Sequence, residues 1–159
     1  MSPTRWSWPP KARFGTGPDV NEVGSSRRNL DRALNASLRR LGRDNVHLYQ
    51  LHGWDPLTPI EDTLTFLDDA VHAGKTHHIG LSNFTGWQMQ LALSTAKALG
   101  LQVPVTLQPQ YSPLSREIEY EIIPAALHNN IGPLPWSPLA AGFLSSKFHK
   151  RQDPASDTR

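Results

Sequence analysis

Leu48-Tyr49-Gln50-Leu51-His52-Gly53-Trp54-Asp55 closes a strand-like run on a single histidine. Side chains alternate along a strand, so Gln50 and His52 share one face while Tyr49 and Leu51 share the other. Where parallel strands end together they build one rim, and a histidine at such an end is a candidate catalytic group. On this stretch alone, a structural or surface-loop histidine is an equal alternative. The segments on either side decide between them.

Upstream, Leu30, Leu34, Leu38 and Leu41 recur at helical spacing between a cap at Ser25 or Ser26 and a stop at Gly42. Val46 to Leu51 reads as a strand. Downstream, Thr58-Pro59-Ile60-Glu61 predicts a helix start, with Thr58 capping, Pro59 in the first helical position and Glu61 completing a capping box. Ile60, Leu64, Leu67 and Val71 form its apolar stripe, and Gly74 ends it. His77 to Leu81 predicts a second strand. A helix then runs from Thr85 to Gly100 with Met89, Leu93, Ala96 and Leu99 inward. Val103 to Gln108, Arg116 to Asn129 and Ile131 to Trp136 predict a strand, a helix interrupted at Pro124, and a last strand. Strands alternating with helices in this way predict an α/β fold with about four parallel strands and flanking helices. Residues 1–25 read as an irregular N-terminal segment, 26–144 as the folded unit and 145–159 as a polar tail.

The chain has 159 residues, enough for one domain with a substantial core but short for a complete (β/α)8 barrel of about 250. Its pI is near 9.2, yet the net charge is only +2. Arg27-Arg28, Arg39-Arg40 and Arg43 sit on the polar side of one amphipathic helix, which argues against a nucleic-acid partner. The absence of cysteine excludes disulfides, cysteine-ligated zinc and a cysteine nucleophile. No apolar run reaches the roughly 20 residues that span a bilayer, so no membrane partner and a cytoplasmic location are expected.

Polar residues follow the end of each strand in turn: His52, then Ser82 and Asn83, then Gln108 and Tyr111, then Ser137. In a parallel barrel these converge on one concave rim. Several of the segments that carry them, together with the helix before His52, resemble the aldo-keto reductases, NADP-dependent (β/α)8 TIM-barrel oxidoreductases that reduce aldehydes and ketones. The similar segments are Ser26-Arg27-Arg28-Asn29-Leu30, Ser37-Leu38-Arg39-Arg40-Leu41, Leu48 to Asp55, Gly80-Leu81-Ser82-Asn83-Phe84, Leu107 to Ser112, and Pro135 to Gly142. They run in family order over about residues 11 to 148 and correspond to the middle of the family's barrel.

The resemblance implies that His52 orients and polarises the substrate carbonyl, and that Trp54 lines the substrate pocket. It implies that Ser82, Asn83 and Gln108 hold the nicotinamide carboxamide of NADP(H), and that Tyr111 stacks on the ring. Ser137, Pro138, Leu139, Gly142 and Leu144 would approach the cofactor pyrophosphate. Lys11 resembles the catalytic lysine that lowers the pKa of the family's catalytic tyrosine, although a solvent-exposed lysine is the alternative reading. For each of the others a turn-capping or core role is the bland alternative.

The chain also departs from the family pattern. His47 stands where aspartate is usual, Asn130 where glycine is usual, and Pro133 where an aliphatic strand residue is usual. The proton-donating tyrosine and its aspartate partner have no counterpart, because Tyr49 faces away from His52, Tyr111 takes the stacking position and Tyr120 lies on a helix. The last strand and helix that grip the 2′-phosphate have none either. The expectation is a truncated reductase that is weakly active or inactive, binds nucleotide weakly and self-associates through open sheet edges. The alternatives are a non-catalytic nucleotide-binding or regulatory module and a degenerate gene product. A hydrolase triad from Ser82, His52 and Asp55 lacks the Gly-x-Ser-x-Gly elbow. No metal site is expected, since His77 and His78 point to opposite faces and no His-Glu-x-x-His helix exists.

Overall fold

The structure, a computed structural model, describes residues 9–15 and 22–145. Parts of the irregular N-terminal segment and of the polar tail lie outside the described residues. The elements in chain order are β1 (Lys11–Ala12), α1 (Arg27–Leu41), β2 (Val46–Leu51), α2 (Ile60–His72), β3 (Thr76–Ser82), α3 (Gly86–Leu99), β4 (Thr106–Gln108), a 3-10 turn (Glu117–Glu119), α4 (Ile122–His128), β5 (Gly132–Pro133) and a second 3-10 turn (Ala140–Gly142). The strands form one sheet in the order β1-β2-β3-β4-β5, every neighbouring pair parallel. This is the α/β arrangement of part of a TIM barrel. No helix among the described residues is long and apolar enough to cross a membrane.

Alternation along the strands separates two faces. Tyr49, Leu51, Ile79, Leu81 and Leu107 are buried in the core with Leu30 and Leu34 of α1, Leu64 and Leu67 of α2, and Met89 and Leu93 of α3. Tyr49 adds a polar tie, its hydroxyl donating to the Leu30 carbonyl at 3.2 Å. Leu41 and Leu99, expected inward, are exposed, because each is the last residue of its helix. Helix ends follow the local chemistry. The Ser26 hydroxyl accepts from Asn29 N, Gly42 closes α1 in the left-handed region, and Thr85 with Gln88 forms a full capping box.

Four expectations need correction. The start of α2 has Pro59 as its cap with no side-chain bond, and Glu61 makes no capping box; Thr58 donates its hydroxyl to Asp55 Oδ2 at 2.8 Å instead. Lys11–Ala12, inside the segment read as irregular, adds a fifth strand whose register pairs Lys11 with Gln50. The helix expected over 116–129 splits into the 3-10 turn and α4, so that Pro124 falls in the first turn of α4, where a missing N–H costs nothing. The last two strands are shorter than expected, at Thr106–Gln108 and Gly132–Pro133, with an isolated Gln110–Trp136 bridge beyond them. Pro133 fits because β5 bonds to β4 alone. Gly132 N and Leu134 N donate to Val105 O and Leu107 O, which leaves the donorless proline nitrogen facing the open edge.

Candidate active site

The side of the sheet opposite the helical core carries residues in layers. Gln50, Gly80, Thr106 and Gly132 are register partners on β2 to β5. Two residues on, Ser82 pairs with Gln108, and His52 follows Leu51, the partner of Leu81. His52, Ser82 and Gln108 thus stand side by side where their strands end. The layer below is close-packed: a Cβ on Gly80 would collide with the Thr106 hydroxyl and come within 3.2 Å of Gln50 Cγ, so any larger residue there displaces its neighbours.

His52 is half-buried, and its ring meets Phe14 edge-on at 4.7 Å between centroids. Burial, reinforced by the charges of Lys11 and Arg13, holds its pKa below the ordinary histidine value. The imidazole is therefore neutral at neutral pH, with one N–H to donate and one lone pair to accept. Burial likewise lowers Lys11.

Asn83 knits the rim together. It occupies a left-handed conformation at φ 56°, one that asparagine tolerates better than most residues. Its Nδ2 donates to the His52 carbonyl at 3.0 Å, and its Oδ1 accepts from Trp136 Nε1 at 2.8 Å. The Ser82 hydroxyl is buried and donates to the Gln108 carbonyl at 3.0 Å. Gln108 Oε1 is buried with no hydrogen-bond partner, an acceptor aligned with the rim and unsatisfied. Tyr111 is half-buried and fixed by its hydroxyl, which donates to Glu119 Oε1 at 2.6 Å; Arg116 holds the same carboxylate. Trp54 packs edge-on against Phe84 and Trp87 at 5.6 and 5.5 Å.

Ser137, Pro138, Leu139, Gly142 and Leu144 form a tight loop with positive φ at Ser137, Ala140, Ala141 and Gly142. The amides of Ala140, Ala141, Gly142, Phe143 and Leu144 donate inside that loop. The Gln108 end of the rim thus holds an unsatisfied buried acceptor, whereas the loop at Ser137 to Leu144 spends most of its amides on itself.

Sequence reasoning gave no role to Asp55, Arg13, Phe14 or Trp136. Asp55 accepts from Ser25 N at 2.7 Å, Leu57 N at 3.0 Å and the Thr58 hydroxyl, fastening the loop after His52 to the start of α1. Burial alone would raise its pKa, but these hydrogen bonds and the Arg13 charge bring it below the usual carboxylate value. The Asp55-Pro56 pair was the available signal, since aspartate at a turn bonds the backbone two residues on. Arg13 and Phe14 had none, lying in a stretch without periodicity.

The family model described as "Aldo/keto reductase family" matches residues 4–159. The chain belongs to the aldo/keto reductase family. Among its relatives, an uncharacterized oxidoreductase of Bacillus subtilis (YrpG) is 40% identical over 80% of this chain and 39% of its own length. A probable voltage-gated potassium channel subunit beta of Arabidopsis thaliana is 35% identical over 92% of this chain and 44% of its own. A versiconal hemiacetal acetate reductase of Aspergillus parasiticus is 34% identical over 92% and 42%. This aldo/keto reductase chain therefore spans about two-fifths of the length of the curated relatives it matches.

Proposed function

We propose that the chain carries the carbonyl-polarising and nicotinamide-holding part of an NADP(H)-dependent reductase of small aldehydes and ketones. The observation that supports this reading is the row of His52, Ser82 and Gln108, aligned at the ends of three adjacent parallel strands. NADPH, when bound, supplies the hydride that such a reduction needs. Gln108, Ser82 and Asn83 would hold its carboxamide, with the buried, unsatisfied Gln108 Oε1 as the acceptor, and the anchored Tyr111 ring would offer a flat face. Ser137, Pro138, Leu139, Gly142 and Leu144 would approach the cofactor's phosphates. His52 donates its N–H to the carbonyl oxygen, and the adjacent Lys11 favours the neutral imidazole. Trp54, backed by Phe84 and Trp87, walls the substrate side.

The proton for the developing alkoxide comes from no tyrosine of this chain. Of the three, Tyr49 is buried among the helices, Tyr111 is committed to Glu119, and Tyr120, 90% exposed, closes a 3-10 turn. General-acid assistance contributes about 10² to 10⁴ in rate. The chain alone should therefore reduce carbonyls that much more slowly than a full-length family member. Following NADPH consumption over a panel of aldehydes tests this, with His52→Ala as control. Slow turnover that His52→Ala abolishes is the expected result; turnover indifferent to His52 would remove the assignment.

A further inference from the structure

A pair of histidines lies at the other end of the sheet. The sequence presents His77 beside His78, which point to opposite faces, but the fold sets a different partner next to His77. In the β2–β3 register Val46 pairs with Thr76 and Leu48 with His78, so His47 stands across from His77. Their ring centroids are 5.4 Å apart with planes tilted by 54°. Both residues are exposed, and neither imidazole has a hydrogen-bond partner among the described residues.

That spacing has chemical content. Zinc–imidazole bonds of about 2.0 to 2.1 Å meeting at a near-tetrahedral angle put the centroids of two ligating rings roughly 5 Å apart. The two rings therefore already sit at a separation at which one ion can bridge a nitrogen from each. We propose that His47 and His77 form a two-histidine site for a borderline divalent cation, Zn²⁺ above all, with water filling the remaining positions. Imidazole nitrogen suits zinc, copper and nickel rather than magnesium or calcium. No third metal-binding side chain joins the pair, because groups of three or more are absent among the described residues. The site is consequently open to solvent and of modest affinity.

The pair is independent of the candidate active site. His47 and His52 are five residues apart along an extended strand, about 17 Å by strand rise, and lie at opposite ends of it. Metal bound at His47 and His77 crosslinks the first residues of two neighbouring strands, so it stabilises the folded chain by mass action.

Calorimetric titration of the tag-free chain with Zn²⁺ tests the site, alongside His47→Gln, His77→Gln and, as control, His78→Gln. The expected result is one equivalent of Zn²⁺ bound, with affinity at least tenfold weaker in either pair variant and unchanged in His78→Gln. Far-ultraviolet circular dichroism checks that each variant folds. A second readout needs no substitution: imidazole ¹⁵N resonances of His47 and His77 should shift together at the first equivalent. Absence of saturable binding, retention of it in both pair variants, loss of it in His78→Gln, or first shifts at other histidines would each overturn the proposal.

Discussion

Asn83 holds a main-chain carbonyl with one end of its amide and an indole with the other, while its own backbone sits in the left-handed region. The two demands separate experimentally. Removing the bonds to His52 and Trp136, along with a longer one to the Ser82 hydroxyl at 3.3 Å, costs about 0.5 to 1.5 kcal/mol for each, and alanine adds roughly 1 to 2 kcal/mol of left-handed strain that glycine avoids. Asn83→Gly should accordingly destabilise less than Asn83→Ala although it removes more atoms. Urea midpoints of the two variants check this, and the reverse order would show that the backbone relaxes without cost. At His52 the signature is one of pH. Its folded pKa lies below the ordinary 6.5, so the unfolded chain binds the proton more readily and stability falls as pH drops through 6.5 toward the folded value. His52→Gln removes that dependence. Melting scans between about pH 7.5 and pH 5 should show wild type losing ground to the variant as the solution is acidified; parallel curves would deny the shift.

Gly80 illustrates what only the assembled sheet can reveal. In sequence it breaks a strand-like run between two apolar residues; in the sheet its missing Cβ is the space that the Thr106 hydroxyl and the Gln50 and Leu48 side chains occupy. Gly80→Ala should cost about 1 to 3 kcal/mol by overpacking, and Thr106→Ala in the same chain should recover part of it. A denaturation cycle over the two single variants and the double measures that coupling, and strict additivity would place the strain elsewhere. The helices were legible because their signals are local: a cap, an apolar stripe at helical spacing and a terminal glycine all lie within one element. The start of α2 was misread for the opposite reason. Read locally, Thr58 suits a cap, but its hydroxyl goes to Asp55, whose carboxylate also takes the amide of Ser25, 30 residues away. The strand at Lys11–Ala12 was illegible because two residues carry no periodicity and its bonds come wholly from β2. The rim behaves likewise. Each polar residue after a strand could be read singly, whereas the Asn83 bridge and the partnerless Gln108 oxygen arise only when three strands stand side by side.

Across the sheet, among the described residues β1 and β5 each bond to a single neighbour, which leaves an edge of backbone on either side. Pro133 blunts one of these edges, whereas the two residues of β1 itself, Lys11 and Ala12, include no proline. Self-association through these edges is the expected behaviour, and sedimentation velocity over a concentration series should show the average mass rising; one monomeric species throughout would mean the edges are protected in solution. The strand order has a further consequence. Register partners along the sheet fall at positions 11, 50, 80, 106 and 132, intervals of 39, 30, 26 and 26 residues. Closing loops of those lengths differs in entropy by less than about half a kcal/mol, and every strand after the first finds its partner in the strand made just before it. A chain emerging from the ribosome can thus dock each new strand on the one already waiting, with no segment held back for a later arrival. A sheet with this order can grow at one edge, each new strand docking on the strand translated just before it.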